Sequence, residues 1–151
     1  MAKLFSLLRR SPRVNVLRLS GVIATQARGQ SLNDQSLAPL IEKAFTKGKP
    51  TAVALVINSP GGSPVQSSLI GARIARMAAE KQVPVHAFVE DVAASGGYWL
   101  AAAAGQIWVD PSSVVGSIGV ISASFGAHDL ITRHGVERRV YTAGQSKSML
   151  D

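Results

Sequence analysis

The sequence contains no cysteine. This absence excludes a disulfide framework, a zinc-thiolate site and a cysteine nucleophile, so any chemistry must come from hydroxyls, amines, carboxylates or imidazoles. Long apolar runs are also absent. No stretch reaches the roughly 18 residues of a membrane-spanning helix, and the N-terminus lacks the apolar segment and cleavage site of a secretory signal. We therefore expect a globular chain with neither a transmembrane segment nor a signal peptide.

Acidic residues are scarce at the start of the chain. Asp34 is the first of them, and six of the 16 basic residues precede it. The remainder is close to neutral, which argues against a broad basic face for a nucleic-acid partner. Residues 1–10 set four apolar side chains beside Lys3, Arg9 and Arg10. They form either a peripheral contact with an anionic membrane surface or a solvated terminus.

Strand and helix patterns alternate along the chain. The pattern predicts strands over 13–19, 51–57, 83–89, 106–109, 114–122 and 137–142, and helices over 33–46, 64–81, 94–104 and 127–134. The continuous apolar run of the strand over 51–57 is typical of a parallel strand covered by helices on both faces. This alternation predicts a single α/β domain.

Two glycine-rich junctions follow predicted strands, at the end of the sheet where α/β folds place ligands. The first, residues 58–64, contains Gly61 and Gly62, and the second, residues 91–98, contains Ser95. Glycines let backbone N–H groups approach a bound group, and a serine at a helix start exposes its hydroxyl. Each junction also has an ordinary explanation, since Ser95 could only cap a helix and the two glycines could only form a tight turn.

Acyl transfer needs a nucleophile, a base and N–H donors for the oxyanion, and the base is the missing part. His86 lies within a predicted strand, which favours a packing role. A triad of Ser95 with His128 and a carboxylate such as Asp110 is possible but has no supporting motif. Lys147 is another candidate base, although a lysine in a loop is normally solvated.

Four motifs in register carry a resemblance that covers nearly the whole chain from Val14 onward. They are the Val-Ile-Asn-Ser-Pro-Gly-Gly run over 56–62, Ala-Ala-Ser-Gly-Gly-Tyr over 93–98, Gly-Ser-Ile-Gly-Val-Ile over 116–121, and the late Lys147. The chain resembles the signal peptide peptidase A family of serine peptidases, peptidase family S49. The resemblance implies a ClpP/crotonase-like fold of repeated β-β-α units. We expect a basic N-terminal segment over 1–12, then one catalytic domain over 13–151 that is truncated at its C-terminal end.

The resemblance also implies a function. Family members hydrolyse peptide bonds in hydrophobic peptides, such as cleaved signal peptides, with a Ser-Lys dyad and without a metal or cofactor. Carried over by position, Ser95 is the nucleophile and Lys147 the base, and Ser117 hydrogen-bonds the lysine. The N–H groups of Gly62 and Gly96 form the oxyanion hole, with the neighbouring Gly61 as the alternative to Gly62. A homo-oligomer with active sites shared between protomers is implied, in the cytoplasm or at the periphery of the inner membrane.

Two other classes of protein remain open. A crotonase-like acyl-CoA enzyme shares the fold and works with carboxylates, for which Glu90 and Asp91 are available. A non-catalytic oligomeric scaffold keeps the fold without the chemistry, and it predicts that substitution of Ser95 has no effect.

Overall fold

A computed structural model describes residues 11–25, 31–121, 123 and 125–139, and the chain divides after Gly119 into two compact units. The elements of the first unit are β1 Val14–Ser20, α1 Asp34–Thr46, β2 Ala52–Ser59, α2 Pro64–Lys81, β3 Val85–Ala94, α3 Gly96–Ala101, β4 Gln106–Val109 and β5 Val114–Gly116. The described part of the second unit contains α4, His128–Arg133.

All strand pairs of the first unit are parallel, in the order β1-β2-β3-β4. β3 is long enough to pair with two strands: its His86–Val89 part pairs with β4, and its Val92–Ala94 part pairs with β5. The register between β2 and β3 shifts after Ile57, so that Ser59 lies opposite Ala93. The carboxyl ends of the two central strands therefore lie side by side.

The core lies on one face of this sheet. Alternate residues of the strands pack against helix residues, and the largest side chains with almost no exposure are Leu19, Ile23, Ile41, Leu55, Ile57, Ile70, Ile74 and Leu100. Side chains on the opposite face are exposed, among them Val14, Val16, Phe88 and Trp108. The expectation of two covered faces is therefore wrong for this unit, because β2 alternates between buried and half-buried residues.

Helix ends agree with the prediction where local capping decides them. α2 has the predicted bounds, with Pro64 in its first turn and the Ser63 hydroxyl accepting a hydrogen bond from the backbone of Gln66. At the start of α1, the Asn33 side chain accepts from the N–H of Ser36 at 2.9 Å. These contacts satisfy N–H groups that lack a partner within the helix.

Element lengths differ where pairing decides them. β3 runs five residues beyond the predicted end because β5 pairs with its last part. Two predicted elements are too long: the helix predicted over 94–104 is observed as α3, Gly96–Ala101, and the strand predicted over 114–122 is observed as β5, which ends at Gly116. The strand predicted over 137–142 is not observed at residues 137–139. Residues 140–142 of that last prediction lie outside the described residues.

Candidate active site

Ser95 occupies a sharp turn between β3 and α3. Its backbone has φ 52° and ψ −116°, a conformation that non-glycine residues rarely adopt and that the surrounding structure must hold in place. Two hydrogen bonds hold it: the Ser95 N–H donates to the carbonyl of Gly116 at 2.7 Å, and the Ser95 carbonyl accepts from Trp99 at 3.1 Å. The side chain makes no capping hydrogen bond to α3. The hydroxyl of this half-buried residue is therefore not occupied as a helix cap.

Gly61 brings the first glycine junction against the second. A Cβ built on Gly61 would lie 2.6 Å from the carbonyl oxygen of Ala94, 2.7 Å from the nitrogen of Gly96 and 3.0 Å from Cβ of Ser95. The residue also has φ +92°, in the region that favours glycine. Only glycine permits this approach, and the two junctions form one site.

The N–H groups of the two loop glycines differ in their partners. The Gly61 N–H donates to the Ser59 hydroxyl at 3.2 Å, and the Gly61 carbonyl accepts from the N–H of Ile23 at 2.9 Å. Carbonyl and N–H point in opposite directions across a planar trans peptide, so the Gly62 N–H points away from Ile23. No acceptor for it is present among the described residues.

Gly96 supplies a second N–H group at the same place. It is the first residue of α3, so its N–H is one of the helix donors that have no intrahelical acceptor. Gly96 is buried, and a Cβ on it would collide with the Ser67 hydroxyl. The N–H groups of Gly62 and Gly96 thus belong to the two junctions that meet at Ser95.

Similarity to known proteins identifies the family of the chain. The sequence model of peptidase family S49 matches residues 77–151. The chain is 32% identical over 136 residues to the chloroplastic serine protease SPPA of Arabidopsis thaliana, a match that covers 90% of this chain and 20% of that protein. The chain belongs to peptidase family S49. The family match includes Ser95, Gly96, Ser117 and Lys147, whereas the Gly61-Gly62 loop precedes it.

Another relative of this S49 chain carries a different name. The chain is 56% identical over 140 residues to the Na(+)/H(+) antiporter NhaA of Brucella melitensis, and it covers 19% of that protein while 91% of the chain is matched. In the part of the chain that the structure describes, no helix combines the length and the hydropathy needed to cross a membrane. The chain spans about a fifth of the length of both relatives.

The fold has a solved counterpart. The chain superposes on a membrane-bound stomatin-specific protease with a TM-score of 0.60 and 20% sequence identity, over 83% of this chain and 60% of that one. The parallel sheet with alternating helices confirms the expected ClpP-like α/β fold. At this identity the likeness concerns the fold alone.

The remaining residues predicted for the S49 site have different positions. Ser117 has φ +54° and directly follows Gly116, whose carbonyl accepts the Ser95 N–H, so its backbone lies next to the turn at Ser95. Lys147 lies outside the described residues. The structure therefore brings Ser95, Gly96 and the Ser117 backbone together with the Gly61-Gly62 loop, and the place of the lysine remains a prediction.

The alternative histidine triad gains no support from its carboxylate. The Asp110 side chain accepts a hydrogen bond from the N–H of Ser112 at 2.8 Å, and this bond lowers the pKa of Asp110. Asp110 thus has a local role in the turn before β5. His128 is an exposed residue of α4 in the second unit, and His86 is a half-buried residue of β3.

Two residues near the site were missed by reasoning from sequence. Ser59 and Ser67 are the buried polar residues of the described chain, and each has 0% exposure. Ser59 ends β2 one residue before Pro60, and Ser67 lies behind Gly96 in α2. The available signal was a hydroxyl at a position where the strand or helix pattern calls for an apolar residue.

Proposed function

We propose that this chain carries the catalytic site of a serine endopeptidase, with Ser95 as the nucleophile. One observation carries the proposal: the close approach of Gly61 to Ser95 and to the Gly96 nitrogen. It supports a site in which the Ser95 hydroxyl, which makes no helix-capping hydrogen bond, acts with the N–H groups of Gly62 and Gly96, which have no acceptor among the described residues. This is the arrangement that acyl transfer requires, a nucleophile next to preformed donors for the developing oxyanion.

The chemistry follows from these groups. The Ser95 Oγ attacks the peptide carbonyl as its proton passes to the base, and the carbonyl oxygen becomes an oxyanion held by the N–H groups of Gly62 and Gly96. Each donor of this kind contributes about 3 kcal/mol to the transition state. Collapse of the tetrahedral intermediate transfers the proton to the leaving amine and leaves an acyl-enzyme. Water then repeats the same steps and releases the acid.

Lys147 is the base in this proposal. An ordinary lysine of pKa near 10.4 is neutral in about one molecule in 2,500 at pH 7, so the mechanism requires a dry environment that lowers the pKa of Lys147. The family membership and the position of Lys147 within the matched region support this role. Ser117 hydrogen-bonds the lysine amine and orients it.

The substrate and the assembly belong to the same proposal. We infer that the substrates are hydrophobic peptides such as cleaved signal peptides, as the resemblance to signal peptide peptidases suggests. Lys147 would reach Ser95 from a neighbouring protomer of a homo-oligomer. The exposed apolar face of the sheet, with Val16, Phe88 and Trp108, supports self-association. The location would be cytoplasmic or peripheral to the inner membrane, with contact through the basic and apolar residues 1–10, which lie outside the described residues.

The acyl-CoA alternative is less well supported because its candidate carboxylates are engaged. Glu90 accepts two hydrogen bonds from Arg18 at 2.6 and 2.8 Å, and Asp91 accepts one from the Asn58 side chain at 2.6 Å. The first interaction joins β1 to β3 across β2, and the second joins the neighbouring strands β2 and β3, which explains these carboxylates as sheet-stabilising residues. The Ser95 hydroxyl, which does not cap α3, would have no role in an acyl-CoA enzyme.

Labelling with an alkyl fluorophosphonate tests the proposal. We expect the probe to form a covalent adduct on Ser95 of this chain, located by peptide mass spectrometry. Ser95→Ala should abolish the adduct, whereas the control Ser68→Ala, at an exposed serine of α2, should retain it. Labelling of Ser95→Ala at the wild-type rate would refute the nucleophile assignment, and would leave the non-catalytic scaffold as the better interpretation.

A further inference from the structure

Ser59 lies directly behind the candidate oxyanion hole. It is the last residue of β2 and is completely buried. In the sequence, only Pro60 stands between Ser59 and the loop glycines. A buried hydroxyl is costly unless it has hydrogen-bond partners. The partners of Ser59 are therefore informative about what the residue does.

Both partners of Ser59 belong to the loops that form the site. The Oγ donates to the carbonyl of Gly21 at 2.7 Å and accepts from the N–H of Gly61 at 3.2 Å. Because Pro60 has no N–H, the Gly61 N–H is the first backbone donor after Ser59. The backbone of Ser59 also contacts Gly97, where any Cβ would collide with the Ser59 carbonyl. One residue thus joins the end of β1, the glycine loop and the start of α3.

The hydrogen bond from the Gly61 N–H to Ser59 affects the direction of the N–H of the next residue, Gly62. Ser59 holds the Pro60-Gly61 peptide through the Gly61 N–H, and Ile23 holds the Gly61-Gly62 peptide through the Gly61 carbonyl, so the two peptides that flank the Gly61 Cα are both fixed. The N–H of Gly62 is then the loop donor left for an oxyanion, since it points away from Ile23. Removal of the Ser59 hydroxyl would leave a buried N–H without a partner, and the loop would have to rotate to satisfy it.

We propose that Ser59 is a positioning residue of the oxyanion hole, which acts by holding the Gly61 N–H so that the Gly62 N–H faces the substrate carbonyl. The inference rests on the proposed peptidase function. It assigns Ser59 a role in stabilising the transition state rather than in binding the ground-state peptide. If Ser59 contributed only to the stability of the fold, its removal would weaken transition-state stabilisation and peptide binding equally, because both depend on the fraction of folded protein.

The test compares Ser59→Ala with a matched serine elsewhere. Ser113 also donates to a backbone carbonyl, that of Glu90 at 2.5 Å, and accepts a backbone N–H, that of Asp110 at 3.2 Å. Per folded molecule, we expect Ser59→Ala to slow fluorophosphonate labelling of Ser95 about tenfold or more, less than the 10²–10³ cost of deleting a donor. Ser113→Ala should label at the wild-type rate.

A second measurement separates transition-state from ground-state effects. A leucine-containing peptide boronic acid forms a tetrahedral adduct with a serine, whereas the same peptide as a carboxamide does not. Ser59→Ala should weaken binding of the boronic acid about tenfold and leave binding of the carboxamide unchanged. Equal losses for both ligands, or labelling as fast as in the wild type, would overturn the positioning role.

An isosteric pair covers the case in which Ser59→Ala does not fold. The side chains of Ser59→Thr and Ser59→Val have nearly the same shape. Threonine keeps the serine hydroxyl, whereas valine has a methyl group in its place. We expect the threonine variant to label about tenfold faster than the valine variant, and equal rates would refute the proposal. A wild-type chain that is not labelled at Ser95 would instead refute the peptidase function itself.

Discussion

Replacing Gly61 by alanine inserts one methyl group where the two glycine junctions meet. The new Cβ would lie within 3.0 Å of three atoms, the carbonyl oxygen of Ala94, the nitrogen of Gly96 and Cβ of Ser95. Two of these atoms belong to the backbone, so a side-chain rotation cannot relieve the contact. We expect Gly61→Ala to destabilise the fold and to move Gly96 and Ser95 away from the loop.

The magnitude combines two effects at Gly61. Overpacking of a tight site costs about 1–3 kcal/mol, and a non-glycine residue at φ +92° adds about 1–3 kcal/mol of backbone strain. The sum, about 2–6 kcal/mol, is a large part of the 5–15 kcal/mol that typically stabilises a domain. Gly105 is a matched control, since a Cβ there meets only the carbonyl oxygen of Val85 at 3.8 Å. Gly105→Ala should change stability by less than about 1 kcal/mol.

Two assays measure the predicted effects of Gly61→Ala. Urea unfolding followed by circular dichroism gives the loss of stability relative to the wild type and to Gly105→Ala. Fluorophosphonate labelling, corrected for the folded fraction, reports the arrangement of Ser95 and the N–H donors, and we expect it to slow at least tenfold. If Gly61→Ala were as stable as Gly105→Ala and were labelled as fast, the apposition of the two junctions would be refuted.

Two further predictions concern the base and the helix pair behind the site. Lys147→Arg and Lys147→Ala should both lose labelling of Ser95, because arginine stays charged and cannot accept a proton; full activity of the arginine variant would indicate a different base. Asp34→Asn removes the paired hydrogen bonds from Arg73, at 2.6 and 2.7 Å, which join α1 to α2. It should cost about 1 kcal/mol in urea unfolding at pH 7, whereas Glu80→Gln, in a more exposed ion pair, should cost less. Since the bond to Arg73 lowers the pKa of Asp34 below 3.8, this stabilisation is complete above that value and is lost as the pH falls through the lowered pKa. A difference between wild type and Asp34→Asn that stayed constant as the pH fell below 3.8 would contradict this reading.

Local patterns predicted much of the fold. The bounds of α2 and the start of α1 follow from caps and proline placement at Ser63, Pro64 and Asn33, which act within one helical turn. The apolar spacing in α1 predicts one face with Leu37, Leu40, Ile41, Ala44 and Phe45, and the prediction is wrong for Leu40, which is 50% exposed. Periodicity gives the direction of a helix face, but the neighbouring elements decide how wide its buried stripe is.

The sequence by itself determined the alternation of strands and helices, the absence of thiol chemistry, and the two glycine motifs that mark the site. It could not show that Gly61 contacts Ser95, that the Gly61 N–H is used by Ser59, or that β3 extends to pair with β5. These features depend on residues that are distant in sequence and become neighbours only when parallel strands pair in a given register. Propensities and caps act over a few residues, whereas the direction of a single N–H group depends on everything packed around it, so only the tertiary structure decided which glycine amide faces outward.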